Sequence, residues 1–73
     1  MERSMLKEHL ALAERHAAEG EARIVKQRAI IAELERDGHA TQQACDLLRV
    51  FEETQVSFVT DRDRLRDEVT NAT

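Results

Sequence analysis

The chain has 73 residues, a net charge of −4, 36% charged and 41% hydrophobic residues, but only 3% aromatics. It has no Pro, two Gly and one Cys. That size admits one small domain, and the composition favours long helices over sheet. No stretch reaches the ~18 uncharged apolar residues of a membrane span. A single Cys45 excludes an internal disulfide and a Cys-based zinc site within one chain. A pI near 5.3 argues against nonspecific nucleic-acid binding, which draws on clustered Lys and Arg.

The start, Met1-Glu2-Arg3-Ser4, leads into a charged amphipathic run and not an apolar leader, so a cytoplasmic protein is expected. Ser4 is the expected N-cap of a first helix running from about Ser4 to Asp37. Its seam alternates steps of four and three: Leu6, Leu10, Ala13, Ala17, Gly20, Ile24, Gln27, Ile31, Leu34. That spacing predicts coiled-coil-like packing.

Asp37-Gly38-His39 is the one strong break. Gly38 suits the left-handed position past a helix end, since it has no Cβ to clash. With Gly38 to Ala40 as the turn, Thr41 is the expected N-cap of a second helix, its hydroxyl accepting from a free amide. That helix should run from about Thr41 to Val69, with residues 70–73 frayed. Its seam is Ala44, Leu48, Phe51, Gln55, Phe58, Arg62, Leu65 and Val69, flanked by Leu47.

A short turn makes the two helices antiparallel neighbours. Folding at Gly38 pairs residues whose numbers sum to about 78, setting Phe58 against Gly20, Leu65 against Ala13 and Leu47 against Ile31. Phe51 falls near Gln27 and Ile24. The largest side chain of the second helix thus meets the smallest of the first, as dense packing requires. Gly20 is read as the notch for Phe58, in preference to a hinge. Gly20→Leu should overpack, and Gly20→Ala should be tolerated.

Two helices bury only one stripe each. Val25, Ile30, Ala32, Val50, Val56 and Val59 lie off the main seams. A small scaffold without disulfide or metal usually adds a layer by oligomerising, and a twofold dimer making a four-helix bundle is the expected result. The alternative is that the surplus awaits a different protein.

The titratable residues give weak chemical signals. His9 and His16 are seven apart, about 10 Å along the helix axis. That is too far for one metal within a helix, and His16-x-x-Glu19 reverses the Glu-x-x-His order of di-metal bundles. Flanking, half-exposed histidines are the better reading, and no cofactor or metal is expected. His39 in the turn would favour the negative end of the first helix. Cys45, early in the second helix, has no His or carboxylate constellation to make it a nucleophile. Gln27 and Gln55 in the seams would set register, and Arg62 would snorkel to water.

Arg64 with Glu68, Asp63 with Arg66, and Glu19 with Arg23 have the spacing of helix-surface ion pairs. Arg23, Lys26 and Arg28, with Arg36 beyond, form a basic strip interrupted by Glu19, Glu21, Glu33 and Glu35. Phe51 and Phe58 are assigned to the core, leaving no aromatic for base stacking.

The segments Ile30-Ile31-Ala32-Glu33-Leu34-Glu35-Arg36-Asp37-Gly38-His39, Phe51-Glu52-Glu53-Thr54-Gln55 and Asp61-Arg62-Asp63-Arg64-Leu65 resemble short proteins of rhizobia and related alphaproteobacteria. The likeness spans about His9 to Arg66. It implies a small soluble bacterial protein and supplies no chemistry, function or site. Ala40 stands where such proteins often have Asp. The expected architecture is also similar to that of the plasmid copy-number protein Rop, a helical-hairpin dimer that binds RNA, though architecture does not carry function.

The expectation is therefore an all-α antiparallel two-helix hairpin that dimerises into a four-helix bundle. Its function would be non-enzymatic protein–protein interaction, with an unidentified protein partner. A nucleic-acid-binding bundle using Arg23 and Lys26 on the first helix is the alternative.

Overall fold

The computed structural model describes residues 3–72. Two helices, α1 (Arg3–Arg36) and α2 (Gln42–Asn71), fold back on each other as a hairpin measuring 55 × 14 × 13 Å. No described helix is long and apolar enough to cross a membrane.

The turn follows from Gly38. Its φ is +73°, a left-handed conformation that side chains with a Cβ resist. His39 N–H donates to Leu34 O at 2.9 Å and Gly38 N–H to Glu35 O at 3.2 Å. These are the two bonds of a Schellman ending, and they satisfy carbonyls that the last turn of α1 leaves open. Arg36 supplies a cation in that last turn, where the helix dipole favours one.

Both caps differ from expectation. Ser4 lies inside α1, which already includes Arg3. Thr41 does stand at the N-cap of α2, but its hydroxyl makes no capping bond. The cause is backbone conformation. A capping side chain reaches the free amides from extended backbone, and Thr41 has ψ near −1°. Its carbonyl instead accepts the first helical bond, from Cys45 N–H at 2.9 Å. At the other end α2 continues to Asn71, beyond the expected stop at Val69. Of the expected frayed tail, Thr73 lies outside the described residues.

The seam residues are those the spacing indicates. Leu6, Ala13, Ala17, Gly20, Ile24 and Gln27 are buried on α1, and Leu10, Ile31 and Leu34 are half-buried. On α2, Leu65 is buried, while Ala44, Leu48, Phe51, Gln55, Phe58, Arg62 and Val69 are half-buried. Leu6, Ala13 and Leu65 form one cluster, with Leu10 and Val69 packed on it, so Leu65 does meet Ala13. Leu47, expected opposite Ile31, is 44% exposed. It precedes the seam residue Leu48, and one residue turns the side chain about 100° around the helix.

Gly20 is a notch, but Phe58 is not its main occupant. A Cβ built there would overlap Gln55 Oε1, come within 2.9 Å of Gln55 Cδ, and lie 3.3 Å from Phe58 Cδ2. Ranking by size alone pointed to the aromatic ring. The long, unbranched amide reaches deeper because it also gains a hydrogen bond there. Gln55 Nε2 donates to Ala17 O at 2.8 Å.

Candidate interaction surfaces

The two seam glutamines form a reciprocal pair. Gln55 of α2 donates to the Ala17 carbonyl of α1, and Gln27 of α1 donates to the Ala44 carbonyl of α2 at 2.9 Å. Each amide thus tethers its helix to the main chain of the other. Gln27 is buried. Gln55 Oε1 is also buried and has no partner, a cost of about 1–3 kcal/mol set against the bond its nitrogen makes.

Two ion pairs cross between the helices on one lateral side. Arg28 bonds Glu52 at 3.1 Å and Arg66 bonds Glu14 at 3.1 Å. The sequence reading missed both, although folding at Gly38 places each pair nearly opposite. Within α2, Arg64 bridges Asp61 at 2.9 Å and Glu68 at 3.1 Å, and Arg66 lies 3.9 Å from Asp63. Asp61 first, then the charge of Glu68, raises the Arg64 pKa. The half-buried Arg62 directs its guanidinium to Asp63, its Nε donating at 3.0 Å. All of these carboxylates and guanidiniums touch water, so each pair contributes about 0–1 kcal/mol.

Arg23 does not pair with Glu19. Its guanidinium lies over the Phe51 ring, 5.8 Å from the centroid, an attraction of about 0.5–1 kcal/mol at an exposed site. With Arg28 held by Glu52, the basic strip of α1 loses two of its free cations. Lys26 remains exposed.

His9 and His16 line one open cleft with Leu12, Ala13, Asp61, Arg64 and Leu65. The His16 ring also meets Phe58, with centroids 5.4 Å apart and planes tilted by 40°. Asp61 and Arg64 were not foreseen as neighbours of the histidines, though the hairpin register brings them there. Arg64 already binds Asp61, so the cleft presents a neutralised rim. Among the described residues no three His, Cys, Asp or Glu side chains are grouped to hold a metal ion. Cys45 is a free thiol, half-buried in the first turn of α2.

The remaining surface carries several large apolar side chains. Met5, Leu12, Val25, Ile30, Leu47, Val50 and Val56 are all exposed. All but Met5 divide between two sides. Leu12, Ile30, Leu47 and Val50 share the side of the histidine cleft. Val25 and Val56 share the opposite side, where Ile24, Val59 and Gln55 floor a shallow groove edged by Glu21, Arg28 and Glu52. No protein-family model, curated protein or solved structure matches the chain.

Proposed function

We propose that this chain is a non-enzymatic protein–protein interaction module that acts as a helical-hairpin homodimer in the cytoplasm. The observation that carries this reading is the set of seven large apolar side chains exposed on the described hairpin. Burying a Val, Leu or Ile side chain is worth roughly 1.5–3 kcal/mol. A two-helix unit leaves that energy unused. A partner, whether a second copy or another protein, recovers it.

Sedimentation equilibrium over a concentration range, with reductant present, tests the homodimer. A mass that doubles reversibly with concentration is the expected result. A mass that stays monomeric up to millimolar chain would reject self-association. The wider module reading predicts that affinity capture from native lysate returns a specific protein, lost when Leu47 and Val50 are changed to Ser. The RNA-binding alternative has less support, since Arg23 and Arg28 are engaged within the hairpin. A salt-dependent RNA shift abolished by Arg23→Ala with Lys26→Ala would replace the present reading with it.

A further inference from the structure

We propose that Gln55 is a latch between the helices that grips α1 at both ends of its amide. Its Nε2–H donates to Ala17 O, and its Oε1 accepts the Cα–H of Gly20 that points where any other residue carries its Cβ. Released, the amide turns out into the groove beside Val56, so the latch has a held and a free position. It belongs to the hairpin itself and does not depend on self-association.

The orientation of the amide is fixed by its neighbour. Nε2 lies 2.8 Å from Ala17 O. With nitrogen and oxygen exchanged, two acceptors would face each other at that distance, so the nitrogen must be the atom beside Ala17. The oxygen is left buried, and no conventional donor reaches it. A stranded buried acceptor costs more than one neutral hydrogen bond returns. On that balance Gln55 should leave the seam. The way out is open, since the half-buried Gln55 lines a shallow groove with Ile24, Val56 and Val59. Whatever holds the amide inside must act on its oxygen.

Gly20 supplies that hold. A Cβ built on Gly20 would overlap Gln55 Oε1, and Gln55 Cδ lies farther off, at 2.9 Å. The amide C=O therefore points at Gly20. The hydrogen that glycine carries in place of a Cβ points back along the same line. Carbon and oxygen are then about as far apart as in the Cα–H···O contacts of packed helices, roughly 3.3–3.6 Å. Phe58 Cδ2, 3.3 Å from the same Cβ position, walls the site. Only glycine has a Cα hydrogen in that direction, so Gly20 acts as a donor as well as a gap. Alanine at this position removes the donor and pushes out the oxygen.

Nuclear magnetic resonance of the isotope-labelled chain tests the latch. The pro-S Hα of Gly20, on the Cβ side, should resonate downfield of its pro-R partner. That separation should collapse in Gln55→Met, an unbranched side chain with no amide, and persist in Phe58→Leu, which removes the ring current. In the parent, the Gln55 side-chain amide should exchange with solvent at least about tenfold more slowly than that of the exposed Gln43. Gly20→Ala should bring the two rates together, with circular dichroism verifying that the helices remain. Equal rates in the parent would put the amide in water and overturn the latch. A separation that survives Gln55→Met would overturn it too. So would one lost in Phe58→Leu while Gln55 still exchanges slowly, since the ring would then be its source.

Discussion

Gly20 and Gln55 occupy each other's space, and that sets the sign of a substitution. Mid-helix glycine is disfavoured by about 1 kcal/mol relative to Ala, so Gly20→Ala gains helix propensity. The new Cβ must displace the Gln55 amide from its place beside Ala17, losing a bond of about 0.5–1.5 kcal/mol. Gly20→Ala should therefore be neutral to destabilising in the parent, and stabilising by up to about 1 kcal/mol in a Gln55→Ala background. Urea melts of the four chains give the cycle. Equal effects in both backgrounds would mean that Gln55 does not fill the notch. Gly20→Leu, which must also move Phe58, should cost about 1–3 kcal/mol. The sequence made the notch visible, because a glycine on a seam needs a reason. It hid the occupant, because volume alone ranks Phe above Gln, and the decisive term is a main-chain acceptor that only the fold brings near.

At the scale of the element, the turn divides into one residue that matters and one that does not. Gly38 holds φ +73°, and a left-handed residue with a Cβ costs about 1–2 kcal/mol. Gly38→Ala should lower stability by that amount in a thermal melt. Thr41 makes no capping bond, so Thr41→Ala should change stability by less than about 0.5 kcal/mol, against about 1 for a working Thr cap. A loss of 1 kcal/mol or more at Thr41 would show that its hydroxyl caps α2 in solution. The contrast explains what the sequence reveals at each place. Gly38 announces its conformation by lacking a side chain. Thr41 is a good capping type in a backbone that does not use it, and residue type carries no ψ angle. The seams were readable in full because a four-and-three repeat is a property of sequence alone. Arg28–Glu52 and Glu14–Arg66 escaped because they depend on which helix edges meet once the turn closes.

For the whole molecule, a two-layer hairpin has no enclosed core. Among the described residues no side chain is fully shielded: even Ala17, Ile24 and Leu65 retain 4%, 4% and 5% exposure. Small scaffolds without disulfides or metals commonly add a further layer by oligomerising. If the proposed dimer forms, dissociation and unfolding are linked, and the melting temperature should rise with chain concentration. Melts over a hundredfold concentration range test this. A constant midpoint would mean that the hairpin is stable alone and that its exposed valines are free for another partner.

The single glycine turn also sets an order of assembly. Contacts between α1 and α2 range from close neighbours in sequence beside Gly38 to the cluster of Leu6, Ala13 and Leu65, with Val69 packed on it, at the far end. Closing a short loop costs less entropy than closing a long one, so the hairpin should zip from the turn outward. Gln27–Ala44 would lock before Gln55–Ala17 in that sequence. Substitutions near the turn, such as Leu48→Ala, should slow folding. Leu6→Ala at the open end should mainly speed unfolding. A chain that folds this way loses its ends first and its turn last, so its resistance to opening is graded along its length.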